Sequence, residues 1–151
     1  YARALEDAGL SVRRTDVAPG FVDLLRAGGY DADVIDPLHD DLADPARPGE
    51  RYDGVWASGS LLHVLRTDLP AVLRRLAEVT RPEGLLRLGV KEGRGEAWST
   101  HGRVSAPRHF VFWREEPLRE ALEHAGWRVV ALERTKSTSN EGWLNVAARR
   151  G

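Results

Sequence analysis

The stretch Leu69-Pro70-Ala71-Val72-Leu73-Arg74-Arg75-Leu76-Ala77-Glu78-Val79-Thr80-Arg81-Pro82-Glu83-Gly84-Leu85-Leu86-Arg87-Leu88-Gly89-Val90 changes its period partway along. Leu69, Val72, Leu73, Leu76 and Val79 fall on one face of a 3.6-residue helix, the clearest such stripe in the chain. Asp68 can accept from the unpaired N–H groups of the first turn, and Pro70, with no N–H to lose, fits that turn. Arg81-Pro82-Glu83-Gly84 breaks the helix, and Leu85 to Val90 follows as a strand. A helix running through a tight turn into an apolar strand is half of a parallel crossover.

Working outward, the flanks repeat the theme. Tyr1, Leu5 and Ala8 share a helical face, with Gly9 where a helix C′ residue belongs. Leu10 to Thr15 reads as a strand ending at Asp16. Pro19 and Gly20 open a helix whose apolar side is Phe21, Leu24 and Leu25, closed by Gly28 and Gly29. Ala32 to Ile35 is a short strand, Asp40 to Arg51 a polar loop, and Gly54 to Ala57 a buried strand. On the other side, Lys91 to Pro107 has no periodicity, and a connection that long is usually functional or disordered. Pro117, Leu118, Ala121, Leu122 and Ala125 restore a helix that Gly126 stops. Trp127 to Glu133 and Trp143 to Arg149 are the last strands, joined by a polar turn. Strands alternating with helices predict a mostly parallel sheet covered on both faces. The last two lack a helix between them, so they pair as an antiparallel hairpin.

With 151 residues, 42% of them apolar and 30% charged, the chain is expected to form a single domain, 1–151, around one core. No apolar run reaches the roughly 18 residues of a membrane span, and no cysteine is present for disulfides or thiolate ligands. The expected compartment is the cytoplasm. A net charge of −1, with arginines and acids interspersed, offers no footprint for nucleic acid and reads as a solvated surface. The five histidines have no metal-ligand spacing, so no metal is expected. Trp56-Ala57-Ser58-Gly59-Ser60 lacks the leading glycine of a nucleophile elbow, and no phosphate-binding glycine-lysine loop occurs.

Four segments together resemble the class I, Rossmann-like methyltransferases that use S-adenosylmethionine. Ser11-Val12-Arg13-Arg14-Thr15-Asp16 is similar to the second strand of that family, which ends in an acid. Tyr52-Asp53-Gly54-Val55-Trp56-Ala57-Ser58 resembles its fourth strand, and Leu61-Leu62-His63-Val64 the turn after it. Leu73-Arg74-Arg75-Leu76 through Arg81-Pro82-Glu83-Gly84-Leu85-Leu86 resembles the helix, turn and fifth strand, and is the most specific of the four. The resemblance implies a Rossmann-like α/β fold with S-adenosylmethionine beyond the carboxyl ends of the strands. It also implies that the strand at Trp143–Arg149 runs antiparallel between those of Leu86 and Val129. The family's glycine-rich first motif has no counterpart here, and with no methionine and a start inside a helical pattern the chain reads as lacking its first strand.

Carried over residue by residue, the resemblance implies a cofactor site of Asp16, Val17, Asp36, Leu38, Ala57 and Ser58. A carboxylate at the end of the second strand can accept from both ribose hydroxyls, the role favoured for Asp16; the alternative is a cap for the helix near Pro19. Val17 would pack on the adenine. Asp36, followed by Pro37, departs from the family pattern, and Asp40 and Asp41 compete with it; aligning on Asp41 puts Leu38 against the adenine. Ala57 and Ser58 would line the methionine portion. His63 stands where a residue facing the methyl group is expected, as a general base or as a packed loop histidine. The segment 91–113 is the expected substrate cap, with Lys91, His101, Arg108 and His109 for a small-molecule, anionic acceptor, and Phe112 read as core. The rival readings are a non-catalytic methyltransferase-fold binding module and a nicotinamide-dependent oxidoreductase.

Overall fold

A computed structural model describes residues 1–99 and 107–151, which form two compact units, 1–50 and 51–151. The first holds helix α1 (Ala2–Asp7), strand β1 (Arg14–Asp16), helix α2 (Pro19–Ala27) and strand β2 (Ala32–Val34). β1 and β2 are parallel, with Asp16 opposite Val34. Gly9 and Gly29 end the two helices with φ of +90° and +88°, a backbone region that favours glycine.

Three expectations change in this unit. The strand begins at Arg14 rather than Leu10, because only Arg14 to Asp16 finds a partner. The inner side of α2 is Val22, fully buried, whereas Phe21 and Leu24 are 53% and 70% exposed. Arg26 fixes that rotation, its Nε donating to the Ala32 carbonyl at 2.9 Å. Finally, Arg13 and Arg14 are internal ties rather than solvated charges. Arg14 grips both oxygens of Glu6 at 2.7 Å and lies over the Tyr30 ring, and Arg13 joins Asp33 to the carbonyls of Leu42 and Ala43.

The second unit holds β3 (Tyr52–Ser58), α3 (Leu69–Glu78), β4 (Thr80–Lys91), β5 (Glu96–Ser99), β6 (Arg108–Val111), α4 (Glu115–His124), β7 (Trp127–Lys136) and β8 (Gly142–Arg150). Four strands make a sheet in the order β3-β4-β8-β7. β3 is parallel to β4, with Val55 opposite Leu86, and β8 runs antiparallel between β4 and β7. This is the topology expected for a Rossmann-like fold of this class. Leu86, Leu88, Val90, Leu144, Val146 and Ala148 are buried on one face beneath the apolar stripes of α3 and α4. Trp127 locks the layers, its indole N–H donating to the Leu73 carbonyl at 2.9 Å. Arg81 to Gly84, expected as a turn, instead forms the irregular first part of β4, because Thr80 already pairs with Tyr52; the pairing shifts register before Gly54, and Glu83 takes φ +63°. The packing there is tight: a Cβ on Gly84 would lie 2.4 Å from Thr80 Cγ2 and 2.8 Å from the Arg81 carbonyl oxygen.

Asp68 precedes α3 as expected, but its side chain makes no capping bond, because the residue itself is already helical at φ −96°, ψ −23°. The stretch after β4 is more regular than its composition suggests: β5 pairs antiparallel with β6, Trp98 opposite His109. Phe110 and Trp113 are buried at 3% exposure each while Phe112 is only half-buried, the reverse of the expectation for Phe112.

Candidate cofactor and acceptor site

At the carboxyl edge of the β1–β2 pair two carboxylates stand on neighbouring parallel strands. Asp16 ends β1, half-buried, and one of its oxygens accepts the Ala18 N–H at 2.8 Å in the turn that starts α2. A carboxylate has two oxygens and about four acceptor positions, so this local capping bond does not exhaust it. Val17 beside it is 60% exposed, an apolar surface open to a flat ring. β2 ends at Val34, and Asp36 stands two residues beyond the partner of Asp16. Its carboxylate accepts the Leu38 N–H and the His39 Nδ1–H, each at 2.8 Å. The His39 imidazole, and after it the Leu38 N–H, hold the Asp36 carboxyl below the usual carboxylate range. Asp40 accepts the Asp36 N–H at 2.7 Å and Asp41 the Ala43 N–H at 2.9 Å, so both close turns, and Asp36 is the acid nearest the strand end. Leu38 is half-buried beside it.

The carboxyl edge of β3 and β4 belongs to the second unit. Ala57 is buried and Ser58 half-buried, opposite Leu88 and Gly89. A Cβ on Gly89 would lie 2.9 Å from Ser58 Oγ, so glycine permits this approach. Buried Leu61 and Leu62 anchor the next turn and leave His63 exposed. His63 Nδ1 donates to the His109 carbonyl at 2.5 Å, and its ring lies 4.8 Å from that of Phe110. A carbonyl can only accept, so Nδ1 carries the hydrogen, and whenever the ring is uncharged the lone pair is on Nε2.

Phe110 is the hub of a cluster of charged and aromatic side chains. Lys91 Nζ lies 4.0 Å from its centroid, and the Arg108 guanidinium 5.2 Å. Lys91 is 9% exposed and paired with Glu141 at 2.9 Å. His109 Nε2 meets Glu96 at 3.1 Å, and its ring lies 5.2 Å from Trp98. His63, Lys91, Arg108 and His109 are therefore brought together; His101 lies outside the described residues. Glu96 and Glu141 were not legible as site residues, since each is selected by strand register, Glu141 from fifty positions away. No group of His, Asp and Glu among the described residues could hold a metal ion, and no described helix is long and apolar enough to cross a membrane.

The model of a family described as methyltransferase domain matches residues 17–132. Among solved structures, the 1,6-didemethyltoxoflavin N1-methyltransferase of Burkholderia thailandensis, with 1,6-didemethyltoxoflavin and S-adenosylhomocysteine bound, is 22% identical at a TM-score of 0.72. That likeness covers 98% of this chain and 64% of the Burkholderia chain. A SAM-dependent methyltransferase of Methanosarcina mazei is 12% identical at a TM-score of 0.78, over 98% of this chain and 85% of its own. The magnesium protoporphyrin IX methyltransferase of Synechocystis, with bound SAM, is 17% identical at 0.68, over 98% of this chain and 63% of its own. This chain thus spans less than two thirds of the Burkholderia and Synechocystis enzymes. No curated protein sequence matches it.

Proposed function

Because the chain belongs to the methyltransferase domain family, we propose that it transfers a methyl group from S-adenosylmethionine to a small-molecule acceptor. The observation that carries this reading is the pair of carboxylates, Asp16 and Asp36, at the carboxyl ends of adjacent parallel strands. In open α/β sheets ligands bind beyond those ends. Asp16 accepts from the ribose hydroxyls, Asp36 faces the adenine amino group, and Val17 and Leu38 flank the ring. Ala57 and Ser58 line the methionine portion. Bound S-adenosylmethionine supplies the electrophilic methyl group.

On the acceptor side, His63 Nε2 takes the proton that an acceptor must lose. Alignment and exclusion of water supply the rest of the rate when the acceptor is already nucleophilic. The 91–113 segment caps the pocket. Arg108 carries its charge toward an anionic acceptor group, while Lys91 and His109, each paired with a glutamate, shape the wall around Phe110. The same even charge that argued against nucleic acid favours a small molecule.

Calorimetric titration tests the cofactor. S-adenosylhomocysteine should bind and NADH should not; the reverse result overturns the reading in favour of an oxidoreductase. Binding of neither would favour a non-catalytic module.

A further inference from the structure

The turn that follows β3 does more than carry His63. Three of its residues reach the β6 side in succession. The Leu62 carbonyl accepts the Val111 N–H at 3.0 Å, His63 Nδ1 donates to the His109 carbonyl, and Arg66 Nη2 donates to the Phe112 carbonyl. The same Nη2 lies 3.3 Å from the Gly95 carbonyl oxygen, and Gly95 and Phe112 are themselves bonded where the β5–β6 ribbon leaves the body of the unit. The Arg66 guanidinium also lies over the ring of buried Trp113, 4.5 Å from its centroid. One planar cation thus ties both strands of the ribbon at its base and stacks on the residue that anchors it. A flat, delocalised cation suits both duties at once.

We propose that Arg66 is a positioning residue: it seats the β5–β6 ribbon on the turn after β3 and, through the His109 carbonyl, fixes which nitrogen of His63 carries the hydrogen. The consequence for chemistry rests on the acceptor-side role given to His63 above. With the ribbon seated, Nδ1 is a donor to the His109 carbonyl, which leaves the lone pair of the uncharged ring on Nε2. With the ribbon shifted, the exposed imidazole loses this contact and with it the bias toward that tautomer. Arg66 touches neither cofactor nor acceptor in this scheme.

The test compares the wild type with Arg66→Lys and Arg66→Ala by amide hydrogen exchange and by imidazole nitrogen NMR above the His63 titration range. Lysine keeps a cation that can still donate to one carbonyl, but it loses the planar stack. Exchange at Val111 and Phe112 should accelerate by about tenfold in Arg66→Ala and by less in Arg66→Lys, with Leu144 to Ala148 of β8 unchanged. In the wild type His63 should show its hydrogen on Nδ1, and in Arg66→Ala a mixture of tautomers. Unchanged exchange at Val111 and Phe112, or an unchanged His63 signature, overturns the proposal. Equal loosening of β8 does so as well, since it marks a general folding role; should Arg66→Ala not fold, Arg66→Lys decides. S-adenosylhomocysteine titration of the same samples separates the two readings. Failure to bind in the wild type removes the functional reading, while exchange and tautomer still decide the role of Arg66.

Discussion

Asp16 answers to two demands with one carboxylate. One oxygen holds the Ala18 N–H and so shapes the entry to α2; the cofactor role asks the same carboxylate to accept from a ligand as well. Asp16→Asn keeps an oxygen for the turn but loses the charge. Asp16→Ala loses both, and should weaken S-adenosylhomocysteine binding by about 1.5–3 kcal/mol per lost charge-assisted bond. Calorimetry should place Asn between wild type and Ala; unchanged affinity in Asp16→Ala would take the residue out of the site. Gly84 shows how a residue can matter with no ligand at all. Its missing Cβ leaves room for Thr80 Cγ2, the Arg81 carbonyl and the Asp53 carbonyl. Gly84→Ala should therefore cost about 1–3 kcal/mol. Thr80→Ser on that background removes the crowding methyl and keeps a hydroxyl for the Leu76 carbonyl, so it should recover part of the loss. Urea midpoints for the two variants check this, and a double variant no better than the single would contradict it.

At the scale of elements, α4 is tied to β7 through charge. Glu115, in the first turn of α4, meets Arg119 at 3.1 Å and Arg134 of β7 at 2.6 Å. The Arg119 guanidinium foremost, with Arg134 adding to it, holds the Glu115 carboxyl below the usual glutamate range. A carboxylate depressed in the folded state stabilises the fold above its unfolded pKa and loses that contribution as pH falls through the folded one. Glu115→Gln should therefore be less stable than wild type at neutral pH, and the gap should narrow as the pH falls below the usual glutamate range. A gap that persists in acid would mean that the carboxylate's charge is not its source. The β5–β6 ribbon illustrates the opposite kind of element. Glu96-Ala97-Trp98-Ser99 has no alternation of its own and becomes a strand only because Phe110 and His109 lie opposite Ala97 and Trp98.

For the whole molecule, a bound cofactor adds to stability by mass action. Saturating S-adenosylhomocysteine, at a hundred times its dissociation constant, should raise stability by about 2.7 kcal/mol. Thermal shift would show it, and NADH should give none. Hydrogen exchange should slow around Asp16 to Asp36. Unchanged exchange there would take these two acids out of the site.

The α3 stripe and the antiparallel ending were legible in the residues alone, because each is written in neighbouring positions: a period and a missing helix. Arg81-Pro82-Glu83-Gly84 marked the end of the helix but became the irregular start of β4, since the pairing of Thr80 with Tyr52 is a long-range choice. Asp16 and Asp36 were singled out through the family resemblance, as acids at or just beyond strand ends. Tertiary structure alone decided that α2 turns Val22 rather than Phe21 inward, and that Asp68 leaves α3 without a side-chain cap. It also paired Lys91 with Glu141 and His109 with Glu96, and drew Arg66 onto Trp113. An apolar helix offers several faces, and a charged side chain several partners. The choice falls to whichever strand register brings a complementary group within reach, and that register is a property of the assembled sheet.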